Sequence, residues 1–85
     1  MSMELPDVQR RIERFIREQF MVSDDDHRFS ATTDLYENGF VDSVGVVELL
    51  AFIGEEFGVE IPEELLLSKD FSNVDGIARI VDRLT

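Results

Sequence analysis

The sequence contains no cysteine. That excludes a disulfide framework, a thiolate nucleophile and any zinc site built on sulfur. No apolar run approaches the roughly 20 residues a bilayer-spanning helix needs. The opening MSMELPDVQRRIERF is too charged to hold the apolar region of a signal peptide. A soluble, cytoplasmic protein with no membrane insertion is the resulting expectation. Histidine occurs once, as His27. It stands in a polar stretch and reads as an exposed loop residue, since nothing in the sequence brings it beside a serine for nucleophilic catalysis. Basic residues are also scarce, 8 against 19 acidic ones, for a net charge of -11. Phosphates repel such a surface, so nucleic acid is not expected as a partner. An anionic membrane surface is disfavoured for the same reason. The partners that fit are proteins with basic docking surfaces, because complementary charge steers encounter.

What is present is unevenly placed. Residues 18–68 hold thirteen acidic side chains and one base, Arg28. A solvated acidic face that maintains solubility explains this in part; a helix with two apolar faces lies in the same stretch. With 85 residues, the chain is long enough for one domain and too short for two, so residues 1–85 are read as a single unit. Nothing in the pattern indicates oligomerisation, and a monomer is expected.

Hydrophobic spacing predicts four helices and no strand. Leu5, Val8, Ile12, Phe15, Ile16 and Phe20 recur at intervals of three and four, a one-sided stripe over residues 6–20 with Pro6 suited to the first turn. Residues 21–42 read as a long loop with an Asp run and a turn at Gly39. Loops of that length are uncommon unless functional. Phe29, Leu35, Tyr36 and Phe40 are expected to pin it to the core. A second helix over residues 43–57 stops at Gly58, and a short third helix follows Pro62 over residues 63–67. The last covers residues 74–84, capped by Ser72 or Asn73, with Val74, Ile77, Ile80, Val81 and Leu84 as its stripe. Gly76 is expected to weaken it slightly.

The second helix is apolar on two sides. At about 100° per residue, Val46, Leu49, Leu50, Ile53 and Phe57 form one face, the expected core stripe. Val44, Val47 and Ala51 fall on the other, with Glu48 and Glu55 among them. Either these valines pack against the long loop, or they form a docking strip in which small apolar contacts supply area and the carboxylates give register to a basic partner. At the head of this helix stands Asp42-Ser43. Ser43 is placed to cap the helix. If Asp42 caps instead, the Ser43 hydroxyl is free for modification, and a phosphate esterified to it would lie in the favourable field of a helix N-terminus.

The run Asp24, Asp25, Asp26 does not make a calcium loop. An EF-hand register beginning at Asp24 puts Phe29 where glycine is needed and Leu35 where the bidentate glutamate belongs. It reads as a solvated loop, and no metal site is expected.

The segments ENGFVDSVGVVELL over residues 37–50 and IGEEFGVEIP over residues 53–62 resemble the acyl carrier protein family, including the peptidyl and D-alanyl carriers. The similarity extends over about residues 30–84. It implies an all-α four-helix bundle with a long first loop and a short third helix. It also implies a 4'-phosphopantetheine arm, transferred from coenzyme A by a phosphopantetheinyl transferase and esterified to Ser43. Asp42 would belong to the recognition motif, and the arm's thiol would carry an acyl or aminoacyl group as a thioester. Val44, Val47, Glu48, Ala51 and Glu55 occupy the family's partner-docking positions, which would meet activating ligases or synthases. The implied role is carriage rather than catalysis. Fatty-acid-type carriers usually have leucine where this chain has Val44, and an acidic residue where it has Gly45; Gly54 also stands at a position that is often acidic. Residues 42–50 look like the D-alanyl carriers, which points toward a dedicated carrier in a specialised pathway as much as toward fatty acid synthesis. The remaining alternative is a non-covalent acidic adaptor docking a basic partner through Val44, Val47 and Glu48.

Overall fold

The computed structural model describes residues 4–85. Met1, Ser2 and Met3, the first residues of the segment read above as too charged for a signal peptide, lie outside the described residues. Among the described residues every regular element is helical: α1 (Leu5–Gln19), α2 (Ser43–Phe57), α3 (Glu63–Leu66), a single 3-10 turn (Lys69–Ser72) and α4 (Val74–Leu84). This is the expected all-α four-helix bundle. Helices α2 and α4 begin and end where the sequence pattern put them. The first helix starts and stops one residue earlier than read, and α3 is one residue shorter.

The core explains the arrangement. Val8, Ile12 and Ile16 of α1 are fully buried, as are Val74, Ile77, Ala78, Ile80 and Val81 of α4. Each fully buried aliphatic side chain contributes about 1.5–3 kcal/mol of transfer free energy. The ion pairs are surface pairs such as Arg10–Asp7 at 3.4 Å and Arg79–Asp75 at 3.3 Å, worth about 0–1 kcal/mol each. Apolar burial therefore sets the fold. No polar or charged side chain is buried among the described residues. Leu84 departs from the predicted stripe: at the last turn of α4 it is partly exposed.

The long loop is fixed by both side chains and backbone. Phe29 and Leu35 are buried and Phe40 half-buried, with Phe29 and Phe40 packed edge to face. The Leu35 N–H donates to the Ser72 carbonyl at 2.8 Å, and the Asp75 N–H to the Ala31 carbonyl at 2.9 Å. Tyr36 leaves its ring partly exposed, but its hydroxyl donates to the Phe71 carbonyl at 3.0 Å. Asp34 closes the turn by accepting from the Tyr36 and Glu37 N–H groups. All three tertiary bonds end on the 3-10 turn or the start of α4, so the loop is anchored at that end of the molecule.

The 3-10 turn, which has no periodic signal, explains Gly76. A Cβ there would lie 1.9 Å from the Asp70 carbonyl oxygen. Gly76 therefore permits a close backbone approach, and its helix-propensity cost is secondary.

Candidate functional site

Helix α2 starts on Asp42, whose backbone is extended and whose Oδ1 accepts the Gly45 N–H at 2.8 Å. An Asx side chain is a favoured group for satisfying a free donor in the first turn. Ser43 is the first helical residue, not the cap, and it is exposed. Its hydroxyl is thus not needed to hold the helix. At its other end α2 stops at Gly58, left-handed at φ 68°, with the Gly58 N–H on the Gly54 carbonyl at 3.0 Å.

The two faces read from the sequence are present. Leu49 and Ile53 are buried, and Val46, Leu50, Phe52 and Phe57 pack partly against the core. Val44 and Val47 are each 66 % exposed, which removes the alternative that they pack on the loop. Ala51, Glu48 and Glu55 are exposed on the same side. The strip is therefore apolar, solvent-facing and acid-flanked, and α2 carries no basic residue. The helix dipole leaves partial positive charge at Ser43, so an anion there gains about 0.3–1 kcal/mol.

Contacts with α1 hold this face in place. The Gln19 Nε2 donates to Glu48 Oε2 at 2.7 Å. The rings of Phe15 and Phe52 stack with centroids 4.2 Å apart, and Arg11 pairs with Glu56 on the same seam. The Phe20 ring lies so close to the first turn of α2 that a Cβ on Gly45 would be 2.7 Å from its Cε1. Glycine at 45 thus accommodates an aromatic neighbour; its lack of an acidic side chain has a packing cause. Sequence reasoning missed these contacts. The available signal was Gln19, which continues the α1 stripe at its C-terminal end and, although exposed, lies within reach of α2.

The other singled-out residues do not join this site. His27 is exposed in the loop. Asp26 is taken by Arg28, whose guanidinium and backbone N–H both bond to it and hold its carboxyl below the usual value. Asp25 bonds to the Ser23 hydroxyl. No cluster of three or more potential metal ligands occurs among the described residues. Nor, among them, is any helix long and apolar enough to cross a membrane.

The site is thus an exposed serine that opens a two-faced helix, with the cap supplied by its neighbour and carboxylates alongside. Residues 10–81 match the family described as the phosphopantetheine attachment site, and the chain belongs to that family. No curated protein matches the chain. A domain of this family is the place of covalent 4'-phosphopantetheine attachment, so the chain is a phosphopantetheine-carrying carrier protein, as the resemblance implied. Such domains generally carry rather than catalyse, and they work with a phosphopantetheinyl transferase and with synthase partners.

Proposed function

We propose that Ser43 is the attachment point, and that residues 1–85 act as one monomeric, cytoplasmic carrier domain that is not itself an enzyme. The observation that carries this is the division of labour at the head of α2. Asp42 takes the cap at 2.8 Å, while the neighbouring hydroxyl is left exposed. The residues present fit the group: a phosphodiester on Ser43 would meet the positive end of α2 at an exposed position. In the loading step, the Ser43 Oγ–phosphorus bond forms as the pyrophosphate link of coenzyme A breaks. The adenosine bisphosphate leaves, and the hydroxyl proton passes to a base of the transferase. Once attached, the arm supplies a thiol that holds an acyl or aminoacyl group as a thioester.

In this reading Asp42 also serves recognition. Val44, Val47 and Ala51 give apolar contact, while Glu48 and Glu55 give register against basic surfaces on the transferase and on activating ligases or synthases. The Gln19 bond fixes the Glu48 carboxylate before a partner arrives, which lowers the ordering cost of docking. The cargo is chosen by the loading enzyme; fatty acid, polyketide, nonribosomal peptide and D-alanyl pathways all suit the scaffold.

Incubation of the apo protein with coenzyme A and a broad-specificity phosphopantetheinyl transferase, followed by intact-mass measurement, tests this. A single adduct is expected on the wild type and none on Ser43→Ala. An adduct persisting in Ser43→Ala overturns the assignment. Should Ser43→Ala retain function in the cell while Glu48→Lys abolishes it, the chain is a non-covalent adaptor.

A further inference from the structure

The last turn of α1 sends one apolar side chain into water. The Phe20 N–H donates to the Ile16 carbonyl at 3.0 Å, and the Val22 N–H reaches back to the Arg17 carbonyl at 2.9 Å. That closure requires a left-handed residue between them, a place usually filled by glycine or asparagine. Here it is Met21, at φ 56°, the one non-glycine residue with positive φ among the described residues. Its two neighbours pack inward: Val22 is buried, and the Phe20 ring lies against Gly45. Met21 is 91 % exposed, so packing of its side chain offsets none of the backbone strain.

This turn adjoins the head of α2. Phe20 touches Gly45, two residues beyond Ser43, and Gln19 bonds to Glu48 at 2.7 Å. The end of α1 and the outer strip of α2 are therefore continuous. Their chemistry also repeats. Exposed Glu18, Asp24 and Asp25 flank Met21 along the chain, as Glu48 and Glu55 accompany Val44 and Val47. Arg14 lies beside Glu18 and Asp24; the other nearby bases are engaged elsewhere. Arg17 donates to the Ser23 carbonyl at 2.8 Å and lies over the Phe29 ring at 4.5 Å, and Arg28 is held by Asp26. Net negative charge thus surrounds a flexible, polarisable side chain suited to an irregular apolar recess.

We propose that the docking surface for the phosphopantetheinyl transferase runs off α2 onto this turn, with Met21 entering an apolar recess in the basic face of the transferase. The proposal rests on the carrier reading above. Its test uses the transferase reaction on the full chain, with KM and kcat for the carrier read by intact mass.

Met21→Gly separates folding from docking, because it relieves the left-handed strain while deleting the side chain. Its melting temperature should hold or rise, while KM rises about fivefold at little-changed kcat. Met21→Leu should stay near the wild type, and Met21→Lys should be worse than Met21→Gly, since it sets a cation against a basic partner. Val47→Lys on α2 serves as the reference. If the wild type gains no adduct at Ser43, the carrier reading fails and this proposal falls with it. If Met21→Gly and Met21→Lys both leave KM within about twofold of wild type, the extension is overturned, and a raised KM in Val47→Lys then shows docking confined to α2.

Discussion

Helices α2 and α4 start with the same local design and present opposite surfaces. Each has an Asx cap, Asp42 or Asn73, and each cap accepts the N–H of a glycine three residues on, Gly45 at 2.8 Å and Gly76 at 2.7 Å. The first helical residue is then exposed Ser43 in one and buried Val74 in the other. Capping chemistry therefore decides that a helix begins; surrounding packing decides whether its first turn can be reached. The α4 start is sealed by the 3-10 turn and tied to the long loop by the Asp75 N–H. The α2 start meets a side chain, Phe20, on one flank and solvent on the other. A rigid end and an accessible end are thus built from one motif.

The sharpest way to break this pairing is to add a methyl group to each glycine. Gly76→Ala drives a Cβ to 1.9 Å from a backbone oxygen, and we expect a loss of about 3 kcal/mol in denaturant unfolding. Gly45→Ala meets the far edge of the Phe20 ring, which can rotate away, and helix propensity partly offsets the clash; we expect about 1 kcal/mol or less. Equal losses would mean that both starts are equally tight. Removing the caps should act more evenly. Asp42→Ala and Asn73→Ala should each cost about 1 kcal/mol by the same measurement, with only the former slowing adduct formation at Ser43.

An effect of similar size concerns Tyr36, part of the seal at the α4 end. Burial, aided by the nearby Asp34 carboxylate, pushes its phenol up to about 12 from an ordinary 10.0. The folded state therefore favours the protonated form, and its stabilisation is complete below pH 10 and lost as pH rises toward 12. Tyr36→Phe should cost about 1 kcal/mol at neutral pH through the lost bond to Phe71. It should also flatten the decline between pH 10 and 12, and an unchanged profile would remove Tyr36 from the seal.

Much of this was legible in the sequence because it depends on local rules. The ends of α2 follow from the Asp42-Ser43 pair, although not which of the two caps, and from Gly58; its two faces follow from the angular spacing of Val44, Val47, Leu49 and Ile53. The 3-10 turn, the need for Gly76 and the pairing of Gln19 with Glu48 were not legible. Each depends on residues brought together only by tertiary packing, and neither a short 3-10 turn nor a close backbone approach leaves a periodic signal. Gly45 illustrates the limit. In sequence it marks a missing acidic side chain; in the fold it is the space occupied by Phe20. Met21 was hidden for a related reason, since a left-handed methionine carries none of the punctuation that a glycine would have supplied.

The cap on Asp42 has a further consequence. On the proposed attachment at Ser43, the bond that fastens the first turn belongs to one residue and the esterified oxygen to the next, so esterification would break no bond of the helical start. Mounting the arm would then leave intact the scaffold that presents it.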